Sequence, residues 1–191
     1  MKTLKSIIGL AILAVSLSGC NKELEPESGG VSIPYYQYWF AVNFQDSTGN
    51  DLVAPFKGME KLEGCTLDIT LSNLKENNES YKPQFLVRDF GLNKNWYLFH
   101  ELMYFRKSGF NNMLTYSIKF PALFGDDKVH EIVTYWGDDP VVPSANENAS
   151  LMPECTKAIF NGKELAINKV AHYSTSREGN YYIYCIDIVL D

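Results

Sequence analysis

The side chains best suited to proton transfer or metal ligation near neutral pH are three histidines, His100, His130 and His172. Two of them precede a glutamate, as His100-Glu101 and His130-Glu131. On a strand, neighbouring residues point to opposite faces, so neither pair forms a ready dyad. Three dispersed histidines could still converge on a metal, but structural histidines are the commoner outcome. Two acidic pairs, Asp126-Asp127 and Asp138-Asp139, flank an expected strand at 129–136. Such a strand spans about 25 Å, whereas the carboxylates of a glycosidase sit about 5–9.5 Å apart. Either pair alone could hold a calcium ion with help from loop carbonyls, although aspartates at such positions usually shape turns. Ser72-Asn73-Leu74-Lys75 matches S-x-x-K in form. It closes an alternating strand, where the spacing does not align the two side chains. The chain contains no G-x-S-x-G, H-E-x-x-H, P-loop or G-x-G-x-x-G motif. The expectation is therefore a protein without catalytic activity, metal or cofactor. An envelope hydrolase using Asp126, Asp127 and Glu131 is the alternative.

Aromatic residues are the compositional excess, with 11 Phe, 12 Tyr and 3 Trp. Most fall on inward strand positions and belong to a core. Trp39 is the exception, because it shares a face with Gln37 and Asn43. Trp96 and Trp136 border turn clusters. Exposed aromatics beside Asn and Asp make platforms for sugar rings, so Trp39, Trp96 and Trp136 are the candidate ligand-binding residues. A packed contact between sheet and loop explains Trp39 equally well.

Four cysteines are present, at 20, 65, 155 and 185. Cys65 shares an apolar face with Leu67 and Ile69, as a buried thiol would. By elimination, Cys155 and Cys185 are the expected disulfide pair if the compartment is oxidising. None has the C-x-x-C spacing of a zinc or redox site.

The elements that must position these residues are strands. Every second residue is apolar in Tyr36–Phe44, Cys65–Leu71, Leu114–Phe120 and Tyr182–Leu190. Further strands are expected at 84–90, 129–136 and 155–160. The run 96–106, WYLFHELMYFR, mixes aromatic β-formers with a helix-tolerant centre and is read as a strand. Ser47–Asp51 is a turn cluster, Phe160-Asn161-Gly162-Lys163 signals a two-residue hairpin, and Ser108–Asn112 reads as a longer hairpin loop. Residues 138–153 make a polar, Pro-rich loop, long for a compact domain. About nine strands with short turns predict an all-β fold: an antiparallel β-sandwich, immunoglobulin-like in layout, with a β-barrel as the alternative. A body spanning 34–191 is long enough to bury its core without disulfide staples.

The first twenty residues, MKTLKSIIGLAILAVSLSGC, carry Lys2 and Lys5 ahead of an apolar run from Ile7 to Leu17. That run is shorter than the roughly 20 residues a bilayer-spanning helix needs, so 1–19 reads as a signal peptide. Leu17-Ser18-Gly19-Cys20 resembles the lipobox of bacterial lipoproteins. The resemblance implies cleavage before Cys20 and diacylation of its thiol. Two or more acyl chains make a stable anchor where one holds only marginally. Residues 20–33 then form the lipidated Cys and a flexible acidic tether, whose thirteen residues after Cys20 reach at most about 45 Å. Lys22-Glu23 and the acids that follow resemble the surface-export signal of Bacteroidota-type lipoproteins. The chain as a whole resembles the small cell-envelope lipoproteins of those bacteria.

Charge narrows the partners. The 191 residues hold 17 Lys and Arg against 23 Asp and Glu, a net of −6. Losing Lys2 and Lys5 with the signal peptide takes this to −8. With no basic stripe, nucleic acid is excluded as a partner. The expectation is a binding or accessory protein held by lipid at the bacterial outer membrane, facing either the surface or the periplasm. A glycan or an envelope protein is the expected ligand.

Overall fold

In a computed structural model of the chain, the described residues are 35–72, 83–105, 110–138, 151–173 and 180–190. Cys20, the lipobox, the tether, Lys75 and most of the 138–153 loop lie outside them. Ten strands are found among the described residues: β1 (Tyr35–Gln45), β2 (Thr66–Leu71), β3 (Leu86–Asp89), β4 (Trp96–Phe105), β5 (Met113–Lys119), β6 (His130–Trp136), β7 (Cys155–Phe160), β8 (Lys163–Leu165), β9 (Asn168–Tyr173) and β10 (Asn180–Val189). They form two five-stranded sheets, β3-β4-β1-β10-β9 (sheet A) and β2-β5-β6-β7-β8 (sheet B). The fold is a β-sandwich. The sheets do not close into a barrel. Ile33–Asp191 makes one compact unit.

Alternation along β1 sets the core. Tyr36, Tyr38, Phe40, Val42 and Phe44 are all buried on the inward face. They meet Leu114, Tyr116 and Ile118 of β5 and Ile132 and Trp136 of β6 in one cluster. Aromatic contacts lock the two layers: Phe40 stacks on Tyr116 with centroids 5.2 Å apart, and Trp136 meets Tyr38 edge-on at 5.0 Å. Such offset and edge-on contacts add to area burial because ring edges are positive and faces negative.

The turns follow their residues. Asp46 Oδ1 accepts the N–H groups of Thr48 and Asn50, and closes the turn expected at 47–51. Asn161 and Gly162 have φ of 45° and 85°, so the expected two-residue hairpin joins β7 and β8 as a type I′ turn. Between β5 and β6 lies a single helical turn, α1 (Pro121–Phe124), which starts on proline and ends at Gly125 with φ 72°.

Four features differ from the sequence expectation. Residues 96–105 are a strand as read, but β4 and β5 belong to different sheets and so do not pair as the hairpin expected around 108–112, of which 108 and 109 lie outside the described residues. The central pair β1 and β10 is parallel; alternation reports a strand's faces and says nothing of its neighbour's direction. The strand β9 was not foreseen, since Lys169 takes one of its inward positions and weakens the alternation. Finally, Cys155 and Cys185 are not a disulfide, and Cys65 is free with them. Cys155 points into the core between the sheets, whereas Cys185 points to the opposite side of sheet A beside Ala41 and Tyr97. Side chains on opposite sides of a sheet cannot bridge. Burial pushes the Cys65 thiol up to about 11 and the other two up to about 12, so all three stay protonated.

Candidate functional site

The candidate acid–base groups are engaged in holding the fold. His130, at the start of β6, stacks on Phe124 with centroids 4.0 Å apart and lies 6.0 Å from Phe160. Asn161 accepts the Glu131 N–H through Oδ1, which leaves its Nδ2 to donate to His130 Nδ1 at 3.2 Å. The proton of the neutral ring is thereby assigned to Nε2, which donates to Asp126 Oδ1 at 3.1 Å. Both ring nitrogens are occupied, so no lone pair is left for a metal or a substrate proton. The His130 hydrogen bond is the main reason the Asp126 carboxyl sits below the usual range, helped by the Lys128 N–H. Asp127 is exposed and pairs with Lys119 at 3.3 Å. Glu131 is exposed on the outward side of β6.

His100 points inward from β4 and is 2% exposed, edge-on to Phe85 and Tyr116. Burial drives its pKa down to about 4, because an apolar core solvates the imidazolium poorly. His172 is placed on β9 by its backbone, opposite Tyr181. No group of three or more potential metal ligands occurs among the described residues.

The tryptophans separate by strand parity. Trp136 is 3% exposed in the core, and its Nε1–H donates to Thr134 Oγ1 at 2.9 Å. It is not a ligand platform, because its position on β6 turns it inward. Trp96 packs half-buried against the main core, while its backbone joins a local network. Asp51 accepts from Trp96 N–H at 2.7 Å, from Asn43 Nδ2 at 2.8 Å, and from the N–H groups of Val53 and Ala54. Asn43 Nδ2 also donates to the Trp96 carbonyl. Asp51 thus ties β1, β4 and the following loop together at one end of sheet A. Trp39 alone lies on the outward face of sheet A.

That face departs from the usual sandwich, in which the outward side of each sheet is polar and wet. One row of residues crosses all five strands: Leu86, Phe99, Ala41, Cys185 and Asn168 are register partners in turn. In the next row, Trp39 faces Glu101, and Ile183 faces Val170. Ala41, Tyr97, Ile183 and Cys185 are fully or almost fully buried there, packed by Trp39, Phe90, Leu92, Phe99 and Val170. Small residues make the floor and rings stand on it. Trp39 meets Phe99 edge-on at 6.3 Å, and Phe90 meets Phe99 at 5.4 Å.

The loop between β3 and β4 delivers Phe90. Asp89 Oδ1 accepts the Gly91 N–H, and Gly91, Asn93 and Lys94 all have positive φ, so the chain coils tightly back over the sheet. Exposed Met103 and Val189, at 57% and 58%, extend the apolar material to the two ends of the face. Polar groups fringe it. Gln37 Nε2 donates to Glu101 at 3.3 Å, and Arg88 lies opposite Tyr97. Tyr97 donates to Asp187 at 2.9 Å, and burial followed by that carboxylate pushes its phenol well above the usual range.

Parity therefore located Trp39, but not its companions. Phe99 sits in a run of aromatics on both faces of β4, and Phe90 and Leu92 reach the sheet only through the loop's path. Comparisons with protein-family models, curated proteins and solved structures find no match to this chain.

Proposed function

We propose that this is a lipid-anchored cell-envelope binding or accessory protein without catalytic activity, and that the outward face of sheet A holds its ligand, an envelope glycan or protein. The observation that carries the reading is the aromatic cluster of Trp39, Phe90 and Phe99 on a sheet face that the sandwich core does not need. The half-buried rings of Trp39, Phe90 and Phe99 offer apolar surface for a ligand to cover, and the exposed Arg88 and Glu101 beside them offer directed hydrogen bonds at the rim. The engagement of His130 and Asp126 with each other supports a role other than acid–base catalysis. It also counts against the hydrolase alternative, in which Asp126, Asp127 and Glu131 would share a cleft. The lipobox-like Leu17–Cys20 supports a diacylated Cys20 at the outer membrane, with the acidic body in solvent on the surface or periplasmic side.

The test is glycan-array screening, together with photo-crosslinking in intact envelopes, of the wild type and a Trp39→Ala variant. The reading expects a bound glycan or a crosslinked envelope protein, with binding weakened about tenfold or more in Trp39→Ala. A ligand held equally well by both proteins would remove this face from the account. No ligand in either assay would remove the binding role.

A further inference from the structure

Among the described residues, four strands lie at sheet edges: β3 and β9 in sheet A, β2 and β8 in sheet B. Three of them carry devices that discourage edge-to-edge pairing. The four-residue β3 includes Arg88 and Asp89, and the three-residue β8 includes Lys163 and Glu164. Inward on β9, Lys169 sits over the Tyr182 ring at 4.3 Å and bonds Glu154 at 3.1 Å. The remaining edge, β2, is six residues long, TLDITL, with the exposed Asp68 as its one charge and no Lys, Arg, Pro or Gly.

The direction of its backbone groups follows from two flanking bonds. Ser72 N–H donates to the Met113 carbonyl at 3.2 Å, and Trp136 N–H to the Asn112 carbonyl at 2.8 Å. In an antiparallel ladder, residues alternate between bonding one neighbour and the other. Thr66, Asp68 and Thr70 therefore bond β5, and Leu67, Ile69 and Leu71 turn their N–H and C=O groups to the open side. No hydrogen bond reaches those outward groups among the described residues.

We propose that this edge pairs with the β2 edge of a second copy of the chain, antiparallel, about a two-fold axis at Ile69. In that register Ile69 lies opposite the partner's Ile69, and Leu67 opposite the partner's Leu71, so every outward backbone group is satisfied. The apolar side chains meet on the core side. On the solvent side Asp68 faces the partner's Thr70, whose hydroxyl can donate to its carboxylate, and Thr66 faces the partner's Ser72. A two-fold through Asp68 would set like charges against each other; the axis at Ile69 avoids this. The interface is small, so pairing is weak in dilute solution. It strengthens wherever many copies are held in one plane.

The test is sedimentation velocity of the full chain over a wide concentration series. Wild-type protein should show a reversible monomer–dimer equilibrium. Thr70→Lys places a lysine opposite the partner's Asp68 and should tighten the dimer about two- to tenfold, while Thr70→Asp should weaken it by a similar factor. Glu164→Gln, at the opposite edge of sheet B, changes net charge as much as Thr70→Lys does and should leave the equilibrium unmoved. Ile69→Pro removes an outward N–H without touching the bonds to β5 and should abolish the dimer. Wild-type protein that stays monomeric at every concentration would overturn the proposal. So would a dimer indifferent to Ile69→Pro, a shift in the same direction for Lys and Asp at position 70, or an equal gain from Glu164→Gln.

Discussion

Inside the sandwich, His100 is neutral where most histidines would exchange protons freely. Its pKa of about 4 lies below the 6.5 of an unfolded histidine, so the unfolded chain takes up the proton first. Stability from this residue is complete above pH 6.5 and is lost as the pH falls toward 4. A difference of that size corresponds to about 3 kcal/mol. Urea midpoints measured between those pH values should fall for the wild type, and fall distinctly less for His100→Phe. Cysteine chemistry is also decided at single residues. Alkylation of the unfolded, unreduced protein should modify Cys65, Cys155 and Cys185 together, and reductant should leave its thermal midpoint unchanged. The pairing expected between Cys155 and Cys185 rested on counting thiols. Counting carries no information about side-chain direction, and direction separates the two.

At the scale of elements, the hairpin between β7 and β8 is the clearest case of local sequence dictating structure. Gly162 holds φ 85°, and a side chain there would meet open space, so strain alone penalises a substitution. Gly162→Ala should cost about 1 kcal/mol in urea-unfolding free energy. Turn residues and alternation made β1, β2, β5, β6, β7 and β10 legible, because each strand has one apolar side and needs only its own residues to show it. The parallel β1–β10 pair was not legible, since it depends on residues about 145 positions apart. Strand β9 was hidden by Lys169, which spoils the period-two signal while closing the sheet edge. For the candidate site, Trp39 was legible from parity. Ile183 and Cys185 sit between the inward residues of β10, on the side that alternation marks as wet, so nothing in the sequence singled them out for this face, and Asp51 looked like a turn residue although it joins β1, β4 and a loop.

The molecule as a whole is acidic, with a two-layer β body and aromatic residues on the outward face of sheet A; the proposed reading adds a lipid on Cys20 at the end of a short tether. The net of −8 left after signal cleavage would keep the body off anionic headgroups. In the proposed reading, acyl chains on Cys20 would supply the attraction to the membrane; among the described residues no helix is long and apolar enough to cross one. On the proposed reading, a lipidated Cys20 would set where the outward face of sheet A works. Metabolic labelling with radioactive palmitate, applied to the wild type and Cys20→Ser in the native host, tests this most directly. Label is expected on the wild-type protein and none on Cys20→Ser. Label that persists in Cys20→Ser, or an unlabelled wild type, would contradict that reading.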